Sequence, residues 1–575
     1  MKKLLVYLNG YKKECVFAPL FKMLEACFEL FVPLVVASII DTGIANGDKG
    51  YIVKMCLLMA LLGAVGLTCT LFAQYFSARA ACGFSAKLRR SLFKHISSLS
   101  YTEIDTLGTS SLINRMTNDT NQVQTGINLT LRLFMRSPVI VFGALIMAIV
   151  VDPSLKASGL FIITILALSI VVFGIMLITI PLYKKVQAGL DSTLLSTREN
   201  LTGVRVIRAF SYEENEKKKF HNKTSILNKS QMLVGRISAL LNPLTFVIVN
   251  LSICFLINRG AFQVKIGNLS QGEVIALYNY MSQILIELIK LANLIITITK
   301  ALASAKRIED VFEIESSQKV EKCEGGIDNG YSVEFKNVSL KYKGDSECSL
   351  ENIDFSVLHG ETVGIIGGTG SGKSSLVNMI GRFYDAESGE VFVEGQNVNS
   401  YKFEALREKI GVVPQKAVLF KGTIRENMKW GDENATDEDI LKAIEVAQAK
   451  DVLDSKSEGL DFQIEEGGKN LSGGQRQRLT IARALVRKPS ILILDDSSSA
   501  LDYQTDSRLR KALANLDYKP TIFIVSQRTA SIAHTDKIIV LDDGKIVGIG
   551  KHQELLNTCI TYSEIYNSQF KKEGI

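Results

Sequence analysis

Six stretches of roughly 20 mainly apolar residues constrain this chain more than anything else, because each is long enough to cross the hydrocarbon core of a bilayer. They fall at about 17–40, 55–78, 131–151, 157–182, 237–258 and 272–298. The first and last are less clean, since they carry Lys22, Glu25, Glu29, Glu287 and Lys290. Basic residues collect in alternate connections. The N-terminus holds Lys2, Lys3, Lys12 and Lys13, and the second-to-third connection holds Arg79, Lys87, Arg89, Arg90, Lys94 and Arg115. The fourth-to-fifth holds Lys184, Lys185, Arg198, Arg205, Arg208 and Lys217 to Lys219. The other connections, DTGIANGDKG, VDPSLK and NRGAFQVKIGNLSQGE, are short and carry few basic residues. Cytoplasmic loops are enriched in Lys and Arg, so this pattern predicts both termini in the cytoplasm and an even number of spans.

The two basic connections are each roughly 50 residues long and keep a helical apolar period, far more than a turn requires. As helices they would reach some tens of ångströms beyond the membrane at about 1.5 Å per residue. In the sixth span, Asn279, Gln283, Glu287 and Lys290 fall within about 80° of arc. That arc fits either a polar face lining a path or a Glu287–Lys290 pair at i,i+3. Both readings stay open from sequence.

A chain of 575 residues exceeds what one core supports. The net charge of +7 does not point to nucleic acid, because the basic residues sit beside apolar segments rather than on an aromatic-studded face. Nine cysteines, Cys323 among them, include no CxxC spacing and no His/Cys cluster, so neither a disulfide framework nor a zinc site is expected. The basic start, MKKLLVYLNGYKKECVF, is interrupted by Asn9, Lys12 and Lys13 and has no small-residue cleavage pattern. Residues 1–15 therefore read as a surface helix, 16–302 as the membrane domain, 303–330 as a linker and 331–570 as a soluble α/β domain.

In that last segment the strand ETVGII enters GGTGSGKSS and then the helix SLVNMIGRF. Gly367, Gly368, Thr369, Gly370, Ser371, Gly372, Lys373, Ser374 and Ser375 make a phosphate-binding loop in its required strand–loop–helix context. Backbone N–H groups curl around the anion and the helix N-terminus adds positive potential. Lys373 is placed to reach the outer phosphates of ATP and Ser374 to sit on Mg²⁺. The run ILIL after Pro489 reads as a strand buried on both faces, ending on Asp495, an oxygen ligand suited to Mg²⁺. A third apolar strand, TIFIVS, ends at Gln527. A second glycine-rich turn, with Leu471, Ser472, Gly473, Gly474 and Gln475, precedes another helix and is an anion site in its own right. One nucleotide does not need two.

Residues 16–570 resemble an ATP-binding cassette exporter half-transporter: an α-helical six-span membrane domain with long cytoplasmic extensions, fused to an α/β P-loop domain. GGTGSGKSS, Gln415 in GVVPQ, LSGGQ, ILILDD and the SALD segment ending at Asp502 match in order. TNDT, ENLTGVRVIRAFSYEEN and NLSQGEVIAL match more loosely. The resemblance implies a second cassette chain, two ATP molecules sandwiched head to tail, and a site built from the loop of one chain and the LSGGQ of the other. It implies that Tyr342 stacks on adenine (a core aromatic being the plain alternative), that Gln415 touches Mg²⁺, and that coupling helices lie near 105–115 and 207–214, with Phe210 a docking side chain. It also implies a multi-pass protein of a cell membrane, bacterial by its likeness, moving a drug, lipid or peptide that the sequence does not specify.

Two positions depart from the family pattern. After the magnesium-binding Asp the family usually has Glu, which orients the attacking water; here stands Asp496, about 1.5 Å shorter in reach by ordinary C–C geometry. Where the family has His, this chain has Gln527, whose amide donates a hydrogen bond but carries no charge. Beside an intact phosphate loop with Lys373, and with LSGGQ also intact for the opposite site, these predict a slow site here and an efficient site completed on a partner bearing Glu and His. A slowly hydrolysing homodimer and an ATP-gated channel or sensor are the alternatives.

Overall fold

The computed structural model describes residues 3–152, 156–320 and 330–569. Expectations touching residues 1–2, 153–155, 321–329 and 570, including Cys323, part of VDPSLK and part of the linker, lie outside the described residues. The chain forms two compact units, Met1–Ser97 with Ser110–Ile314, and Ser98–Thr109 with Glu315–Ile575.

Among the described residues six helices are long and apolar enough to cross a membrane: Lys12–Ile44, Lys49–Ser97, Thr109–Val151, Gly159–Thr202, Glu213–Ile266 and Gln271–Phe312. Lys49–Ser97 has 49 residues, a length of roughly 70 Å against a hydrocarbon core of about 30 Å. Span and the lever beyond it are thus one continuous helix. Side chains are sorted opposite to a water-soluble bundle. Ala18, Ala26, Ala73, Ala80, Ala144 and Ala148 are fully buried, while Leu57, Ile163, Phe246 and Phe255 are exposed. Small residues let helices approach closely where lipid gives no hydrophobic drive between them.

Two boundaries differ from the sequence expectation. Of the expected helix at 1–15, the described residues 3–15 are not one helix: a 3₁₀ turn covers Leu4–Leu8, Gly10 takes φ +101°, and the first long helix begins at Lys12. The linker starts later than residue 303, because the last helix runs unbroken to Phe312. Its final turns bury Ala301, Ala305, Ile308 and Val311 on one stripe, which the falling overall hydrophobicity concealed. Short helices stand at Tyr101–Leu107 and Val204–Ala209, a few residues ahead of the positions expected for coupling helices. Gly108 at φ +74° ends the first of them.

Glu287 of the sixth span is 3% exposed and is held by Arg136, by Ser137 at 2.9 Å and by Lys290 at 2.8 Å. Arg136 also donates to Glu29 of the first span at 2.7 Å, with Glu25 3.8 Å away. The Glu287–Lys290 pair is therefore real, and it belongs to a cluster joining three helices. Glu287 faces helix neighbours rather than an open path.

Among the described residues the second unit contains twelve strands: β1 Tyr331–Leu340, β2 Leu350–Leu358, β3 Thr362–Gly367, β4 Ser388–Val393, β5 Gln396–Asn397, β6 Ile410–Val413, β7 Gly422–Thr423, β8 Gln463–Ile464, β9 Ile491–Asp495, β10 Thr521–Val525, β11 Lys537–Asp542 and β12 Lys545–Gly550. Strands β2-β1-β4-β5 make an antiparallel sheet, and β12-β11-β3-β10-β9-β6 a second sheet whose only antiparallel pair is β11–β12. β9 and β10 are almost wholly buried, as their unbroken apolar runs require of a parallel sheet covered on both faces. In such sheets ligands bind beyond the carboxyl ends of the strands, which here sets one place for the site.

Candidate functional site

The carboxyl ends of β3, β9 and β10 converge on one cleft of about 570 Å³. It is lined by Tyr342, Thr369, Gly370, Gly372, Lys373, Ser374, Ser375, Gln415, Asp495, Asp496 and Gln527, among others. The loop after β3 needs its glycines. Gly372 has φ +90°, and a Cβ there would come within 2.7 Å of the Ser349 carbonyl. The helix Lys373–Ile380 follows at once and points its free N–H groups back into the cleft.

Gly367, Gly368 and Ser371 stand behind this lining. Lys373 Nζ donates to the Gly367 carbonyl at 3.0 Å, to Ser371 Oγ at 3.2 Å and to the Gly368 carbonyl. Burial lowers its pKa, opposed by the charges of Asp496 and Asp495. The Ser374 hydroxyl donates to Asp495 Oδ1 at 3.0 Å, and Gln415 Nε2 lies 3.5 Å from Asp496 Oδ2. Burial raises both carboxyls above their ordinary range. For Asp495 the Ser374 hydrogen bond opposes this; for Asp496 the Gln415 hydrogen bond opposes it, then Arg528 and Lys373. Asp496 sits at φ +46°, in the left-handed region that Asp tolerates better than most residues, with its N–H on the Val525 carbonyl at 3.0 Å.

The oxygen set of Ser374 and Asp495 fits a small hard cation that keeps several waters and shares ligands with phosphates. Among the described residues no group of three His, Cys, Asp or Glu could hold a metal ion.

Tyr342 is half-buried, and its hydroxyl lies 2.8 Å from Ser375 Oγ. Its ring meets Tyr384 edge-on at 4.9 Å, and Tyr384 donates to Asp105 Oδ2 at 2.7 Å. Burial, then the Asp105 hydrogen bond, push the Tyr384 phenol well above its ordinary pKa. Tyr342 thus packs against the core of the unit and also forms part of the cleft wall.

Ser472, Gly473, Gly474 and Gln475 do not reach this cleft. They open the helix Gly473–Val486 elsewhere. Ser472 Oγ accepts from Gln475 N–H at 3.3 Å, and Gln475 Oε1 accepts from Ser472 N–H at 2.9 Å, a capping box. Asp502 is also outside the cleft; it caps the helix Tyr503–Ala514, accepting from Thr505 N–H at 3.1 Å. Sequence reasoning missed Asp345 to Ser349, Asp543 and Gly544 on the cleft wall. Their only local signal is turn chemistry, such as the Asp-Gly between β11 and β12.

A phosphate loop facing an acid pair at the strand ends, on a chain whose other unit is six membrane-length helices, defines a nucleotide-binding multi-pass membrane protein. The family profile described as ABC transporter transmembrane region matches residues 15–288, and that described as ABC transporter matches residues 350–499. The chain is 34% identical over 576 residues to the uncharacterized ABC transporter ATP-binding protein YfiB of Bacillus subtilis (strain 168), covering 100% of this chain and 99% of that one. This chain belongs to the ABC transporter family, as an exporter half-transporter with an ATP-hydrolysing cassette. Putative multidrug export ATP-binding/permease protein YgaD of the same bacterium is 30% identical, covering 99% of each chain. The ATP-dependent lipid A-core flippase of Idiomarina loihiensis is 28% identical, covering 99% of this chain and 97% of its own. A solved structure of a bacterial Atm1-family ABC exporter with ATP bound shares the fold, at TM-score 0.81 and 24% identity, over 98% of this chain and 99% of that one.

Proposed function

We propose that this chain is the degenerate-site half of a heterodimeric exporter that moves a drug, lipid or peptide out across a bacterial cytoplasmic membrane, with both termini in the cytoplasm. The observation that carries the reading is the composition of one cleft: an intact phosphate loop beside Asp496 and Gln527, with the intact Ser472 turn elsewhere on the same unit.

In this reading ATP lies with its adenine on Tyr342 and its phosphates in the Gly367–Ser375 loop, where Lys373 exchanges its bonds to the loop's own oxygens for phosphate oxygens. Ser374, Asp495 and Gln415 would hold Mg²⁺, which supplies charge neutralisation for the phosphates. Asp496 occupies the position that orients the attacking water but falls short of it. A misplacement of about 1 Å costs on the order of 10²-fold in rate. Gln527 donates to the γ-phosphate without bringing positive charge. The site therefore retains ATP, while Ser472, Gly473, Gly474 and Gln475, with Asp502, complete a fast site on a partner that has Glu and His.

The test compares steady-state ATPase of the purified chain alone with that of the co-expressed complex in lipid nanodiscs. The chain alone is expected to turn over far more slowly. Turnover within a few-fold of the complex would establish a homodimer instead.

A further inference from the structure

The turn that carries Gln527 is tied down by a side chain from the far end of the chain. Gln569 is the last residue of the helix Ile560–Gln569. Its Nε2 donates to the Gln527 carbonyl at 2.7 Å, and its Oε1 accepts from Thr529 N–H at 2.8 Å and from Thr529 Oγ1 at 2.9 Å. A carbonyl can only accept and an N–H can only donate, so these two backbone partners fix which end of the amide is which. One side chain thereby closes a hydrogen-bonded ring over the peptide units from 527 to 529. The rest of the turn is held independently. Ser526 N–H bonds the Ile365 carbonyl at 3.0 Å, Arg528 N–H bonds Ser526 Oγ at 3.0 Å, and Arg510 donates to the Ala530 carbonyl at 3.2 Å. Thr529 is fully buried, whereas Gln527 is exposed to the cleft. The helix bearing Gln569 is anchored by Tyr562, which is fully buried and hydrogen-bonded to His552 Nδ1 at 2.7 Å.

We infer that Gln569 is a positioning residue for Gln527, making the C-terminal helix part of the device that tells a triphosphate from a diphosphate. This rests on the reading that Gln527 addresses the γ-phosphate. A glutamine has three side-chain torsions to fix, and ordering such a side chain costs more than ordering a stiffer one. Its aim therefore depends on how firmly its own backbone is held, and groups that orient a contacting residue matter nearly as much as the contact. The Tyr342, Lys373 and Ser374 contacts do not pass through this turn, so a diphosphate gains nothing from it.

The experiment uses the full-length chain in lipid nanodiscs and measures competition of β,γ-imido-ATP and of ADP against a fluorescent nucleotide, with Mg²⁺. Gln527→Ala is expected to lower the preference for the triphosphate analogue about tenfold, as loss of one good hydrogen bond would. Gln569→Ala is expected to lower it several-fold, with ADP affinity and melting temperature unchanged. Gln569→Glu keeps an acceptor for Thr529 but turns a carboxylate on the Gln527 carbonyl, and is expected to behave like the alanine variant. In the Gln527→Ala background, Gln569→Ala should add nothing, the signature of two residues acting as one unit. If Gln527→Ala itself leaves the preference intact, the γ-phosphate reading of Gln527 fails. If Gln527→Ala lowers it and Gln569→Ala does not, or if Gln569→Ala weakens ADP and the analogue alike, the positioning role is overturned.

Discussion

At the scale of single residues, the proposed chemistry turns on one methylene and one charge. Asp496 is held near Gln415 and lies beside Asp495, whose hydrogen bond from Ser374 draws it towards the phosphate loop. Lengthening the arm alone would restore reach without restoring a cation at the γ-phosphate; replacing Gln527 alone would do the reverse. We therefore expect Asp496→Glu with Gln527→His to raise single-turnover hydrolysis at this site by on the order of 10²-fold, and each alone to give much less. Quenched-flow measurement of the first turnover checks this, and a double variant no faster than the parent would mean that reach and charge are not what limits the site. Much of the cleft was legible because the phosphate loop, Asp495 and Gln527 are local: each is written into a strand and the few residues after it. What was not legible came from distant turns. Asp345 to Ser349 and Asp543 reach the cleft only because the β1–β2 connection and the end of β11 lie beside it, and Gln569 meets Gln527 across 42 residues of sequence.

At the scale of elements, the same contrast appears in the membrane unit. The i,i+3 spacing made the Glu287–Lys290 pair readable, but no periodicity within one helix could show that Arg136 and the first span complete it. Likewise the apolar runs located six spans and the helical period of the basic connections marked the levers, while the joining of span and lever into single helices of up to 54 residues needed the helices themselves. The ion cluster makes a definite prediction. Arg136 is a buried cation facing three carboxylates, of which Glu25 also has Lys22 at 2.5 Å and Glu287 has Lys290. Removing it strands negative charge between packed helices, which typically costs about 3–5 kcal/mol. Arg136→Met should therefore lower the thermal midpoint of the detergent-solubilised protein clearly, and adding Glu287→Gln should recover part of the loss. An unchanged midpoint in Arg136→Met would show that water or lipid headgroups satisfy these carboxylates instead.

At the scale of the whole molecule, the capped turn at Ser472 lies outside the cleft that holds Lys373 and Asp496 on the same unit. On the proposed reading the two are halves of composite sites, each completed by a second polypeptide, and the choice between a copy of this chain and a different chain has a measurable consequence. In a homodimer both composite sites are identical, and disabling either half depresses turnover equally. In the heterodimer, Ser472 serves the fast site and Lys373 the slow one. On the proposed reading Ser472→Ala removes a donor to the transferring phosphate, a loss worth on the order of 10²-fold in rate when such a donor acts in the transition state. It also weakens the helix cap by about 1 kcal/mol, which melting measurements can separate from catalysis. We expect Ser472→Ala in this chain to collapse steady-state ATPase of the complex, and Lys373→Ala in this chain to reduce it only a few-fold, by loosening the ATP that holds the cassettes together. The comparison needs both variants in the same purified complex at saturating ATP. Equal collapse in the two would return the symmetric assembly, because only identical sites make the two halves equally indispensable.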